Sequence, residues 1–189
     1  MFINKKKYFL IIQNIKDINL NNIKKNSKFI IILRDQKLEN SLNSLIKFRL
    51  KCKAKGIEFF VANNLKLCNL LNSDGIFLSA YNKSFKPQIL KKLNKKILGS
   101  AHNIKEINQK KMQGCEYIIV SKLFKVDYAP KDKFYDVIKF NFLIKEDKKL
   151  IPLGGIKVSN LLKTKMIKSD GIAIMSEIKK KKAISSRLY

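Results

Sequence analysis

Short apolar runs recur along the chain and are separated by polar or amphipathic segments. Eight of these runs have the length of a β-strand and are mostly continuous in apolar residues rather than alternating. They are Tyr8–Ile12, Phe29–Leu33, Ile57–Val61, Asp74–Leu78, Lys96–Leu98, Tyr117–Val120, Ile151–Leu153 and Gly171–Met175. Continuous apolar runs are typical of parallel strands that helices cover on both faces. The pattern therefore predicts an α/β protein.

Segments with helical spacing lie between several of these strands. Two apolar stripes are predicted to face the core, one made of Leu42, Leu45, Ile46 and Leu50 and the other of Val158, Leu161, Leu162 and Met166. A further helix is predicted over Asn103–Gln113, with Gly114 as its C-terminal stop. A final helix is predicted over Ser176–Lys182.

The tetrapeptide Ser-Asp-Gly-Ile occurs twice, at residues 73–76 and 169–172, each time at the start of an apolar strand. This echo indicates a repeated βα unit. Eight strands with alternating connections favour a closed (β/α)8 TIM barrel, although periodicity alone also allows a doubly wound sheet. The 189 residues have no evident internal linker, so we expect a single domain spanning residues 1–189.

The formal net charge of +27 would suit a polyanionic partner such as nucleic acid or an anionic membrane. The distribution of the basic residues indicates otherwise. Only Arg34, Arg49 and Arg187 are arginines, and the lysines are spread along the whole chain. Base readout and bidentate phosphate contacts favour arginine. The pattern disfavours nucleic acid, is typical of a Lys/Asn/Ile compositional bias, and favours small anionic partners.

Hydropathy and cysteine usage indicate the cellular compartment in which the protein is expected. No apolar run approaches the roughly 20 residues that span a bilayer, and the apolar stretch near the N-terminus is too short for a signal peptide. We therefore expect a soluble, cytoplasmic protein with no membrane partner. Cys52, Cys68 and Cys115 are widely spaced and form no CxxC motif, which favours reduced, buried thiols over a disulfide or a zinc site.

The loops after the seventh and eighth strands are the usual place for a phosphate in such barrels. The seventh strand is followed by Gly154 and Gly155, where missing side chains let backbone N–H groups approach an anion. The eighth strand ends at Met175 and Ser176, whose amides and hydroxyl would complete the cradle. An ordinary turn is the alternative for the glycine pair.

Polar residues also follow the second and third strands. Arg34 ends the second strand, where its guanidinium would grip a diphosphate, or alternatively would pair with Asp35 or Glu39. Asn63 and Asn64 end the third strand. They suit hydrogen bonds to a polar ring or a phosphate, but asparagine also caps helices.

Ser100 and His102 follow the fifth predicted strand. His102 is the sole histidine of the chain, and its side chain suits general acid or base catalysis near neutral pH. The alternative is a structural role at the start of the next helix.

Taken in order, these segments resemble the thiamine phosphate synthase and thiazole tautomerase family across nearly the whole chain. The stretches that carry the resemblance are Leu33–Asp35, Val61–Asn64, Ser73–Leu78, Leu98–Asn103, Gly114–Ile118, Leu153–Ile156 and Ser169–Ser176. The resemblance implies a magnesium-assisted reaction in which a thiazole phosphate nitrogen displaces diphosphate from an aminopyrimidine methyl group.

The resemblance also implies roles for individual residues. Arg34 and Asn63 would hold the diphosphate, Ser100 would lie near the pyrimidine and the leaving group, and the thiazole phosphate would bind at Gly155, Met175 and Ser176. The substrates would be phosphorylated small molecules.

The chain departs from the family on the magnesium side of the site. Asn64 and Asn82 stand where the family places aspartates, and neutral amides bind Mg2+ poorly. Lys131 is the residue after the sixth strand that would serve the anion, and Lys122 stands where the tautomerase branch has a histidine. The leading interpretation is a divergent synthase. A noncatalytic precursor-binding relative and a tautomerase-like isomerase remain alternatives.

Overall fold

The computed structural model describes residues 6–23, 28–35, 39–127, 129, 131–145 and 147–175. All eight predicted strands are present in it. They are β1 (Lys7–Ile12), β2 (Phe29–Leu33), β3 (Glu58–Ala62), β4 (Gly75–Leu78), β5 (Lys96–Ala101), β6 (Tyr117–Ser121), β7 (Leu150–Leu153) and β8 (Gly171–Ile174). Every paired strand runs parallel to its neighbour.

The strands form a single eight-stranded sheet in the order β7-β6-β5-β4-β3-β2-β1-β8. The two ends of this sheet, β7 and β8, lie against each other, so the sheet nearly closes into a barrel. This confirms the predicted TIM-barrel architecture. All the strand carboxyl ends therefore open onto one face of the molecule.

Helical segments connect the strands, and several begin at side-chain caps. Four are α-helices: α1 (Leu42–Ala54), α2 (Leu65–Leu70), α3 (Ile104–Met112) and α4 (Asp136–Leu143). The others are 3₁₀ segments at Ile15–Asp17, Leu20–Asn22, Lys86–Leu93 and Val158–Met166. The predicted helix Ser176–Lys182 lies outside the described residues. Across the described ranges, no helix combines the length and apolarity that crossing a membrane requires.

The barrel interior is filled by one cluster of large apolar side chains. Its buried members are Phe9, Ile11, Ile30, Ile32, Phe60, Phe77, Leu98, Tyr117, Ile119, Ile151 and Ala173. Residues between them along the strands, such as Leu10 and Ile31, face the outer layer and pack with helix α1. Both faces of the strands are thus buried, which explains why their sequences are continuously apolar.

The repeated Ser-Asp-Gly-Ile segments have the same local structure. The Ser73 hydroxyl donates to the carbonyl of Gly75 at 3.0 Å, and the Ser169 hydroxyl donates to the carbonyl of Gly171 at 3.0 Å. The serine hydroxyl therefore fixes the entry into β4 and β8 in the same way, four strands apart in the barrel.

Each repeated glycine lets a neighbouring strand come close. A Cβ atom on Gly75 would lie 1.9 Å from the carbonyl oxygen of Lys96 and 2.7 Å from the Phe60 ring. A Cβ atom on Gly171 would lie 2.5 Å from the carbonyl oxygen of Lys7. The missing side chains thus admit the β4–β5 and β8–β1 pairings at the amino ends of these strands.

The predicted core-facing stripe of α1 is mostly wrong. Leu42, Ile46 and Leu50 are exposed, whereas the buried face consists of Leu45, Phe48, Arg49 and Cys52. Leu162 and Met166 of the second predicted stripe are exposed as well. On the buried face of α1, the Arg49 guanidinium is ion-paired with Asp74 at 2.9 Å, and Phe48 packs against the Phe59 ring.

Candidate active site

The barrel mouth is lined by residues that continue the inward alternation of the strands. The interior cluster takes alternate residues along the strands, and the inward position after its last member on a strand lies two residues further on. By this alternation the mouth receives Gln13, Arg34, Ser79, Ser121 and Met175. Arg34 and Met175 are site residues predicted from the sequence, and the same period of two also indicates the other three.

The turn after β7 has positive φ at both Gly154 (+100°) and Gly155 (+66°). The carbonyl of Gly154 accepts a hydrogen bond from the backbone N–H of Phe124 at 3.0 Å. A Cβ atom on Gly155 would lie 2.5 Å from the carbonyl oxygen of Lys125. The loops after β6 and β7 therefore pack backbone against backbone, which two glycines make possible.

This turn presents unused backbone donors. Among the described residues, no protein group accepts a hydrogen bond from the backbone N–H of Gly155 or Ile156. The N–H of Lys157 is satisfied by the Asn160 side chain at 2.8 Å. Two adjacent N–H groups at the start of a helical segment form a candidate anion site, as predicted for this loop.

The other half of the predicted phosphate cradle is described only in part. Met175 is half-buried and packs against the interior cluster at the end of β8. Ser176, its predicted partner, lies outside the described residues.

Arg34 extends the pairing of β2 with β1, because its backbone N–H donates to the carbonyl of Ile12 at 2.8 Å. In the described part of the chain, no carboxylate pairs with its guanidinium. Asp35, one alternative partner, instead accepts hydrogen bonds from the backbone N–H groups of Glu39 and Asn40. Among the described residues, the Arg34 charge thus has no carboxylate partner, which leaves it available to an anion. Lys131 is exposed on the loop after β6.

Asn63 is the centre of a hydrogen-bond network at the β3 and β4 ends. Its side-chain amide donates to the Ser79 hydroxyl at 2.6 Å and to the Tyr81 hydroxyl at 3.0 Å. Its side-chain oxygen accepts from the Ser79 backbone at 3.0 Å and from the Asn82 amide at 3.1 Å. An asparagine side chain has two donor and two acceptor positions, so all four are used within the protein.

A buried lysine, Lys110, holds the backbone of Asn82, a member of this network. Lys110 of α3 is fully buried, and its ammonium donates to the Asn82 carbonyl at 2.6 Å and to the Gln113 side chain at 2.9 Å. Burial lowers the pKa of Lys110, and the nearby Cys115 and Glu106 oppose that shift. The sequence alone does not indicate Lys110 as a site residue, since a lysine on a helix is usually exposed.

The β3 and β4 ends do not fit a magnesium site. The Asn64 side-chain oxygen accepts from the Leu67 backbone at 2.9 Å and caps α2. The Asn82 side-chain oxygen accepts from the Ser84 backbone at 3.0 Å. Across the described ranges, no group of three His, Cys, Asp or Glu residues is placed to hold a metal ion. Neutral amide oxygens already engaged by the backbone are poor ligands for Mg2+.

His102 lies at the start of α3 and contacts Glu106. Its Nδ1 is 3.0 Å from a Glu106 carboxylate oxygen, which also accepts from the His102 backbone N–H at 2.8 Å. Burial would raise the pKa of Glu106, but the hydrogen bonds from His102 and Asn103 outweigh it and lower that pKa. The imidazole is more than half exposed. Ser100 is half-buried in β5, on the inward side shared with Leu98.

A cavity of about 640 Å³ opens beside these residues at the ends of β5 and β6. It is lined by His102, Ser121, Lys122, Lys133, Phe134, Tyr135 and Lys139. Lys122 is ion-paired with Asp132. The wall therefore combines cationic groups with two aromatic rings, a surface that suits a flat, anionic molecule.

These features define a (β/α)8 protein whose mouth offers backbone amides, an arginine and a lysine-rich cavity to a small anion. The model of the thiamine monophosphate synthase family matches residues 12–178. The chain belongs to this family, which confirms the resemblance noted in the sequence.

Individual relatives carry the corresponding name. The thiamine-phosphate synthase of Clostridioides difficile (strain 630) is 29% identical over 154 residues, which cover 78% of this chain and 71% of that protein. The thiamine-phosphate synthase of Bacillus cereus (strain ZK / E33L) is 27% identical over 131 residues, 67% of this chain and 59% of that protein. A third relative, from Prochlorococcus marinus, is matched over only 37% of its length.

Solved structures show the same fold at low identity. Thiamine phosphate pyrophosphorylase from Pyrococcus furiosus superposes with a TM-score of 0.73 and 15% identity, covering 98% of this chain and 93% of that one. A 3-hexulose-6-phosphate synthase superposes with a TM-score of 0.65 and 11% identity, covering 96% of both chains.

Proposed function

We propose that this chain is a thiamine phosphate synthase-like transferase that joins an aminopyrimidine methyl diphosphate to a thiazole phosphate. Family membership supports the reaction class. The observation that carries the proposal is the pair of N–H groups at Gly155 and Ile156, which have no acceptor among the described residues and lie in the loop where (β/α)8 barrels commonly hold a phosphate. Arg34, which no described carboxylate neutralises, supplies a cation across the mouth.

In the proposed reaction the thiazole nitrogen attacks the exocyclic methylene carbon of the pyrimidine. The carbon–oxygen bond to the diphosphate breaks, its electron pair leaves with the diphosphate, and the ring nitrogen becomes positively charged. The amides of Gly155 and Ile156 hold the thiazole phosphate, and Arg34 neutralises the departing diphosphate. Ser100 positions the pyrimidine, so the chain acts mainly by orienting two anionic substrates.

The test is direct synthesis by the purified protein. Incubation with both substrates should give thiamine phosphate and diphosphate in equal amounts, measured by chromatography and a phosphate assay. Binding of thiazole phosphate without any product would instead favour the noncatalytic relative. Isomerisation of a thiazole precursor without coupling would favour the tautomerase-like alternative, in which His102 or Lys122 would move the proton.

Arg34→Lys should lower kcat/KM for the pyrimidine diphosphate by about tenfold, because lysine keeps the charge but loses the bidentate fork. The affinity for thiazole phosphate should stay within about twofold of the original value, since the two phosphates bind at opposite sides of the mouth. Steady-state kinetics and calorimetry separate the two effects. Equal losses for both substrates would contradict the assignment of Arg34 to the diphosphate.

A further inference from the structure

The edge of the mouth formed by the β3 and β4 ends is closed by protein hydrogen bonds. Every donor and acceptor of the Asn63 side chain is used, by Ser79, Tyr81 and Asn82. A ligand or ion that needed the Asn63 oxygen would first have to break the bonds from Ser79 and Asn82. The Asn63 side chain is therefore fully hydrogen-bonded within the protein and has a structural role.

Two further side-chain oxygens of this edge each accept a backbone hydrogen bond. Asn64 uses its side-chain oxygen to cap α2, and Asn82 uses its own to hold the backbone of Ser84. Both are neutral amides. Mg2+ binds through carboxylates and water in octahedral geometry, so these two side chains lack the negative charge that it prefers, and each oxygen already uses one acceptor position for the backbone.

The same edge already contains a fixed cation. The Lys110 ammonium lies 2.6 Å from the Asn82 carbonyl, and Gln113 donates to that same carbonyl at 3.0 Å. Gln113 also donates to the Ser84 carbonyl at 2.7 Å, so both residues hold the loop that follows β4. A positive charge directly behind Asn82 repels a second cation and attracts an anion.

We propose that this chain binds the diphosphate group of its ligand without a divalent cation, using a β3–β4 edge locked by Asn63, Asn82 and Lys110. The inference rests on the proposed function for the identity of the ligand. Lys110 is a positioning residue that does not touch the ligand, and Arg34 provides the direct contact.

Calorimetric titration of the full chain with inorganic diphosphate tests this inference, once in EDTA and once in saturating Mg2+. The dissociation constant in EDTA should be equal to or lower than that in Mg2+, because the metal neutralises part of the ligand's charge. Tightening by Mg2+ of about tenfold or more would overturn the inference and leave the proposed transferase intact. Absence of binding under both conditions would overturn the inference and also remove the diphosphate half of the proposed function.

The double variant Asn64→Asp/Asn82→Asp places two carboxylates at this edge. In EDTA its affinity for diphosphate should fall by about tenfold or more through charge repulsion, and Mg2+ should restore it. The matched control Asn72→Asp/Asn94→Asp adds the same charge before β4 and β5, at the opposite end of the barrel, and should not become Mg2+-dependent. A folded Asn64→Asp/Asn82→Asp protein without Mg2+ dependence would overturn the assignment to these two side chains. If the variant does not fold, the titration of the unmodified chain still tests the inference.

Discussion

Gly75→Ala is expected to destabilise the protein by more than about 3 kcal/mol, because the added methyl group has no room. Its Cβ atom would lie 1.9 Å from the carbonyl oxygen of Lys96 and 2.7 Å from the Phe60 ring. Both obstacles are held in place, the first by the β4–β5 ladder and the second by the packed barrel interior. The strands would have to separate at their amino ends, with loss of ladder hydrogen bonds.

Urea unfolding, compared by midpoint and slope, measures this effect. Gly171→Ala, at the second copy of the repeat, should cost less, about 2 kcal/mol, because its closest contact is 2.5 Å. Gly56→Ala is the control. Gly56 has a φ of +68° but open space around it, so only the left-handed backbone cost of about 1 kcal/mol is expected. Equal losses at Gly75 and Gly56 would show that the close strand approach is not the cause.

Gly155→Ala should lower kcat/KM by about 100-fold, since displacement of a substrate-binding backbone by about 1 Å has effects of this size. The added Cβ atom would meet the Lys125 carbonyl oxygen at 2.5 Å and the Phe124 backbone at 2.7 Å. The turn must then move away from the loop after β6. That movement displaces the Gly155 and Ile156 amides that we assign to the thiazole phosphate.

Coupling kinetics and calorimetry with thiazole phosphate check this expectation. Gly56→Ala again serves as the control, because its φ of +68° matches the +66° of Gly155 while no neighbour obstructs its Cβ. The control should bind thiazole phosphate like the unmodified protein. If Gly155→Ala keeps the original affinity and rate despite folding normally, the glycine turn is not the phosphate site.

The strands were predictable from sequence because both of their faces are buried, which leaves a continuous apolar run at each strand. The helix orientations were less predictable. The apolar residues Leu42, Ile46 and Leu50 indicate one face of α1, but the buried face is another, which carries Phe48 and the Arg49–Asp74 ion pair. A polar contact across two elements leaves no periodic signal in either segment.

Some residues of the candidate site were likewise predictable from the sequence, and others were not. Gly154, Gly155 and Arg34 follow strands directly, so strand assignment alone places them at the mouth. The Asn63 network depends instead on contacts between β3, β4 and the loop after β4. Lys110 lies 28 positions from Asn82 along the chain, and only the folded barrel brings its ammonium to that carbonyl. Such contacts require tertiary geometry, which local patterns do not specify.

The backbones of the loops after β6 and β7 pack directly against each other, so substitutions in these two distant sequence segments depend on one another. Because Gly154 receives the Phe124 N–H and Gly155 sits against the Lys125 carbonyl, a change in length or bulk on one side demands a compensating change on the other. Directed evolution toward other ring substrates should therefore randomise residues 122–125 and 154–156 in one library. In a library confined to one segment, most variants would no longer pack against the unchanged backbone of the other segment.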